Sequence, residues 1–106
     1  MRWLKGGRGG GRPGFARTAN QDDLAHLRTF AQSKPGVEAF IEPRTTVTET
    51  TMILVAASGE WTRRRVPSPA AARNLGKKVA IPVYDIAATG YPQRMRDWTA
   101  RRKAEG

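Results

Sequence analysis

The residues of this chain that could do chemistry are basic. Arg63-Arg64-Arg65 follows Trp61, Lys77 and Lys78 are adjacent, and Arg94, Arg96, Arg101, Arg102 and Lys103 crowd the C-terminal end. Arg2, Lys5, Arg8, Arg12 and Arg17 lie in a segment, 1–17, that holds no acidic residue. Such cations suit phosphate oxygens. Phosphate contacts make loose geometric demands, so these positions predict affinity for nucleic acid without sequence preference. If residues 60–66 form a strand, alternation sets Trp61, Arg63 and Arg65 on one face and Thr62, Arg64 and Val66 on the other. Two readings stay open. With the first face exposed, Trp61 stacks a base while two arginines hold phosphates. With Trp61 in the core, Arg64 is the exposed cation. Under either, three arginines resist full burial, because an unpaired buried charge is costly.

Other chemistry finds little support. The chain has no cysteine, which excludes disulfides, thiolate metal sites, iron–sulfur clusters and cysteine nucleophiles. His26 is the only histidine. With no second histidine it reads as boundary structure on a helix, able to pair with Asp22 one turn earlier. Asp85 reads as a strand-end cap rather than a site carboxylate. No Ser–His–Asp set is suggested. Gly9-Gly10-Gly11-Arg12-Pro13-Gly14 fits G-x-G-x-x-G, but a dinucleotide site needs those glycines between a strand and the start of a helix. Here a Gly-rich stretch precedes Gly9 and Pro13 interrupts the turn. No catalytic residue, cofactor or metal is therefore expected.

The whole chain has the same balance: 19 Lys+Arg against 9 Asp+Glu, a net charge of +10. That excess calls for solvation or an anionic partner. A length of 106 residues suggests one domain, and 39% apolar content is enough for a core. No apolar run approaches a membrane span, and the start lacks the apolar stretch of a secretory signal, so a cytoplasmic protein is expected.

The elements that must position the cations can be read in order. Residues 1–17, with five glycines between Gly6 and Gly11, read as a flexible basic arm, because glycine this dense is entropically costly to order. The single domain is 18–104. A helix is predicted over 20–33, capped by Thr18 or Asn20, with Asp22 and Asp23 in its first turn and Leu24, Leu27, Phe30 and Ala31 on one face. Pro35-Gly36 ends it. Val37, Ala39 and Ile41 alternate with Glu38, Phe40 and Glu42 as a strand. Residues 45–56 are dense in β-branched side chains, and Met52 to Val55, apolar on both faces, form a central strand. Ser58-Gly59 turns the chain into a third strand, Glu60 to Val66. Ser68-Pro69 starts a helix over 69–79 that buries Ala71, Ala72, Leu75 and Val79 and shows Lys77 and Lys78 to solvent; Gly76 weakens it. Residues 81–86 form a short strand that Pro82 confines to an edge or a late start. A last helix runs from Gly90-Tyr91-Pro92 to about 103, with Met95 and Trp98 as its contacts. The fold class is α+β, order αβββαβα, a three- to four-stranded, mostly antiparallel sheet packed by two or three helices. The first five elements share the order of double-stranded-RNA-binding domains, without that family's basic helix start.

Gly36 to Thr46, Gly59 to Arg65, Ile81 to Asp85 and Gly90 to Asp97 together resemble a family of small basic actinobacterial proteins, uncharacterised and in part labelled oxidoreductase. The resemblance covers about 14–99 and implies a bacterial cytosolic protein. It adds no residue-level chemistry, and the chain has no redox cysteine to fit the label.

Three functions follow as expectations. The first is an accessory protein that binds RNA or another polyanion, the ribosome being one such setting, through Arg2, Lys5, Arg8, Arg12 and Arg17, Trp61 with Arg63, Arg64 and Arg65, Lys77 and Lys78, and Arg94, Arg96, Arg101 and Arg102. The second is an adaptor whose basic face meets an acidic protein. The third is a small-molecule or cofactor binder.

Overall fold

A computed structural model describes residues 21–105. The predicted arm, its five cations, the glycine motif and the caps Thr18 and Asn20 lie outside the described residues. The elements run α1 (Gln21–Ser33), β1 (Glu38–Glu42), β2 (Thr51–Val55), β3 (Trp61–Arg65), α2 (Pro69–Lys78), β4 (Val83–Asp85), α3 (Ile86–Thr89) and α4 (Gln93–Glu105). The α+β class and the predicted order hold, with the single turn of α3 added before the last helix.

The four strands lie in the order β3-β2-β1-β4. β1–β2 and β2–β3 are antiparallel, and β4 joins β1 in parallel. β2 is central because it is apolar on both faces. Met52 and Leu54 enter a core with Leu27, Phe30, Ala39, Ile41, Ala72 and Leu75, beneath α1 and α2. Ile53 and Val55 enter a second core with Phe40 and Met95, beneath α4. The sheet thus has helices on both sides, and the alternation of β1 and β3 is split between two packed faces.

Three local expectations need correction. Residues 45–50 are not strand: Thr45 Oγ1 accepts the amide of Thr48 at 3.0 Å and that of Val47 at 3.2 Å, and these local bonds hold a turn that competes with strand pairing. Gly76 is more than a weak point of α2. It is buried, and a Cβ there would lie 2.3 Å from Val83 Cγ2, so its missing side chain lets α2 sit against β4. Ala71 is only half-buried, and the buried stripe of α2 is Ala72, Leu75 and Gly76. Pro82 stands where the sequence suggested: β4 starts late, is a sheet edge, and the Pro82 carbonyl accepts the Ala39 amide at 2.9 Å.

The β2–β3 turn seats α4. Gly59 has φ +97°, and a Cβ there would be 2.2 Å from the Arg94 carbonyl oxygen. Glycine serves here for both its backbone conformation and its lack of bulk.

Candidate nucleic-acid interface

Within the strand run Arg63-Arg64-Arg65, Arg63 is exposed and Arg64 and Arg65 are half-buried, but Arg63 and Arg64 are paired with carboxylates of the fold. The outcome mixes the two arrangements: Trp61 packs toward the core, as in the second, but the exposed cation is Arg63 on its own face, and Arg64 is half-buried. Trp61 is half-buried beside the Met95 core and its Nε1–H donates to Thr99 Oγ1 on α4 at 2.9 Å. Arg63, on the same face, reaches across β2 to Glu42: Nε donates to Oε1 at 2.8 Å and Nη2 to Oε2 at 3.0 Å. Thr51 also donates to Glu42 Oε1 at 2.6 Å, and the Tyr91 hydroxyl donates to Oε2. Burial pushes the Glu42 carboxyl up, but the bonds from Arg63, Thr51 and Tyr91 outweigh it and hold the carboxyl below its ordinary range. The same Glu42 bonds raise the Tyr91 phenol and the Arg63 guanidinium.

On the other face, Arg64 meets Asp23 of α1 at 3.5 Å. His26 shares a 2.6 Å hydrogen bond with Thr62 Oγ1. Partial desolvation, then the nearby Arg64, depress the imidazole below its ordinary value, and Asp23 opposes them. The histidine is a strut between α1 and β3, not a partner of Asp22 as the spacing allowed.

Arg94 is also committed within the fold. Its Nη2 donates to Glu38 Oε1 at 2.7 Å and its Nε to the Ala56 carbonyl at 3.0 Å, which clamps α4 to the end of β2. Asp85 pairs with Arg73 of α2 at 3.4 Å. The expectation of outward-facing cations without nearby carboxylates therefore changes for Arg63, Arg64 and Arg94. Sequence reasoning missed the carboxylates that hold them, Glu42, Asp23 and Glu38. The signal that could have found two of them is strand alternation, which puts Glu38 and Glu42 on one face of β1.

A different set remains outward. Arg96, Arg101, Arg102 and Lys103 on α4 are exposed, and none forms an ion pair among the described residues. Arg102 lies over the Trp98 ring at 5.3 Å, and Arg101 donates to the Ser58 carbonyl at 3.3 Å. Lys77 and Lys78 are exposed at the end of α2, in the helix layer on the opposite side of the sheet. Arg65 is half-buried and likewise without an ion pair among the described residues. The fold thus divides the predicted set. α4 carries a dense basic surface, α2 a separate small one, and β3 mostly internal pairs.

Among the described residues no cluster of His, Asp and Glu could hold a metal ion, and no helix is long and apolar enough to cross a membrane. Comparison of the chain with protein-family models, with curated proteins and with solved structures gives no match.

Proposed function

We propose that the protein is an accessory factor that binds RNA through its phosphate backbone, without sequence preference, using the outward cations of α4 together with the basic segment 1–17. The observation that carries the reading is the charge left after internal pairing. Each internal pair removes one acid with each cation, so the +10 excess is undiminished and falls on groups outside those pairs. α4 concentrates that excess in Arg96, Arg101, Arg102 and Lys103, with Asp97 and Glu105 as its only acids. A cytoplasmic setting in an actinobacterium is what the family resemblance implies.

The test is binding of the full chain to a short single-stranded RNA over graded salt. Each phosphate neutralised contributes roughly 0.7 to the slope of log affinity against log salt. The reading expects a steep slope that flattens when residues 1–17 are removed and again when α4 is neutralised. A slope near zero overturns it.

One observation favours an acidic protein partner instead. β3 is a sheet edge, and the bonds Val66 N–H to the Thr50 carbonyl and Ala56 N–H to the Glu60 carbonyl set its pairing phase. Antiparallel alternation then turns the backbone groups of Trp61, Arg63 and Arg65 outward. An acidic extended segment could add there as a fifth strand. Capture of such a peptide, undiminished by nuclease, would favour that reading.

A further inference from the structure

Along one flank of α4 runs a groove of about 400 Å³, lined by Tyr91, Met95, Arg96, Thr99, Ala100 and Lys103. We propose that this groove takes one unstacked base of a single-stranded RNA, with Arg96 and Lys103 holding the phosphates beside it. The inference rests on the RNA reading above and names which form of RNA the site accepts.

The groove pairs an apolar floor with a cationic rim. Met95 is 7% exposed and Tyr91 38%, so one is a covered part of the lining and the other is accessible from solvent. The Tyr91 hydroxyl is held by Glu42, which fixes the ring before any ligand arrives. A prepositioned aromatic loses little freedom on stacking a base. Thr99 Oγ1 accepts the Trp61 indole N–H, which leaves its own proton for an acceptor on a base edge. Arg96 and Lys103 are seven residues apart, two helical turns, on the same stripe of α4. Neither forms an ion pair among the described residues.

A larger cavity of about 600 Å³, beside β3, lacks this character. Its lining includes Asp23 and Glu49, and two of its arginines, Arg63 and Arg64, are already bound to carboxylates. An anion would meet spent charge there and unspent charge on α4. Duplex RNA cannot use the α4 groove, because its bases are stacked inside the helix and only backbone and groove edges are exposed.

The test compares single-stranded and duplex RNA of equal length, with the full chain, at one salt concentration. Single strands should bind about tenfold tighter or more. Tyr91→Leu should weaken the single strand by about 5- to 100-fold, the range of one stacked base, and leave the duplex unchanged. Tyr91→Phe keeps the ring but loses its tether to Glu42, so it should weaken the single strand clearly less than Tyr91→Leu. Ala100→Leu, at an exposed helix position, should fill the groove and weaken the single strand while the melting temperature holds. If RNA binds but both forms bind equally and neither Tyr91→Leu nor Ala100→Leu matters, the groove proposal falls and the phosphate-backbone reading stands. If no RNA binds, both fall. If poly-glutamate binds with the same dependence on Tyr91 and Ala100, the occupant is an acidic peptide and the proposal is overturned.

Discussion

Arg63-Arg64-Arg65 on β3 and Arg101-Arg102-Lys103 on α4 are equally cationic as stretches of sequence, and the fold uses them in opposite ways. The β3 run lies where two faces of a sheet are packed. Its side chains alternate, so Arg63 meets Glu42 on one face and Arg64 meets Asp23 on the other. The α4 run lies at the end of a helix that touches the body chiefly through Arg94, Met95, Trp98 and Thr99; its side chains are exposed, and its contact with the body is the Arg101 bond to the Ser58 carbonyl. The difference shows that a basic run acquires its role from what stands opposite it. A carboxylate across the strand makes a guanidinium a fastener, and solvent opposite leaves it available to a partner.

The comparison can be broken first through the seating of α4. Gly59→Ala should destabilise the fold by roughly 2–4 kcal/mol, because the added Cβ would collide with the Arg94 carbonyl at a positive φ. A melting temperature unchanged in that variant would mean α4 does not sit on the hairpin as described.

Next comes the β3 fastener. Glu42→Ala strips the acceptor from Arg63, Thr51 and Tyr91 together, and should lower stability by roughly 1.5–3 kcal/mol in denaturant titration. The low end is expected, since the Arg63 side chain is 42% exposed and water takes up part of the loss. RNA affinity should fall only modestly, through the loosened Tyr91 ring, and the salt slope should hold. The converse holds on α4: replacing Arg96, Arg101, Arg102 and Lys103 by Gln should move stability by no more than about 0.5 kcal/mol and act on RNA binding instead. If the Glu42 variant lost the salt slope and the α4 variant lost stability, the assignment of roles would be reversed.

The pH effects are smaller. Glu42 has a depressed folded-state pKa, so the folded protein binds that proton more weakly than the unfolded chain. The stability it contributes is complete above the unfolded value and is lost as pH falls through the lower folded value. Glu42→Gln should therefore flatten the acid limb of a plot of melting temperature against pH. His26 is also depressed, from an ordinary 6.5, so the fold favours its neutral form. Stability should decline gently as pH drops from 7 toward 5, and His26→Asn should remove that decline.

Much of the fold was legible because its signals are local. Met52 to Val55, apolar at successive positions in a β-branched stretch, read as a central strand, and the structure adds that helices cover both of its faces. Pro82 placed β4 at an edge because proline lacks the donor a central strand needs. The Thr-rich stretch 45–50 misled, since β-branched residues favour strands while threonine hydroxyls can equally hold a turn, as Thr45 does. Less of the site could be read. The partners of Arg63 and Arg94 lie 21 and 56 residues away in sequence, and only the strand register and the docking of α4 bring them together. Tyr91 was read as part of a helix start, and its place in the Glu42 network and the α4 groove depends on that same docking.

The central claim is that the outward cations of α4, and not those of β3, meet a polyanion. The most direct measurement is the salt dependence of single-stranded RNA binding by the full chain, by the chain with Arg96, Arg101, Arg102 and Lys103 replaced by Gln, and by Arg63→Gln. The account predicts that the α4 replacement reduces the slope by roughly 2–3, at about 0.7 per phosphate neutralised, and that Arg63→Gln leaves it unchanged. An equal slope for the α4 variant and the parent, or a slope lost with Arg63, would contradict it.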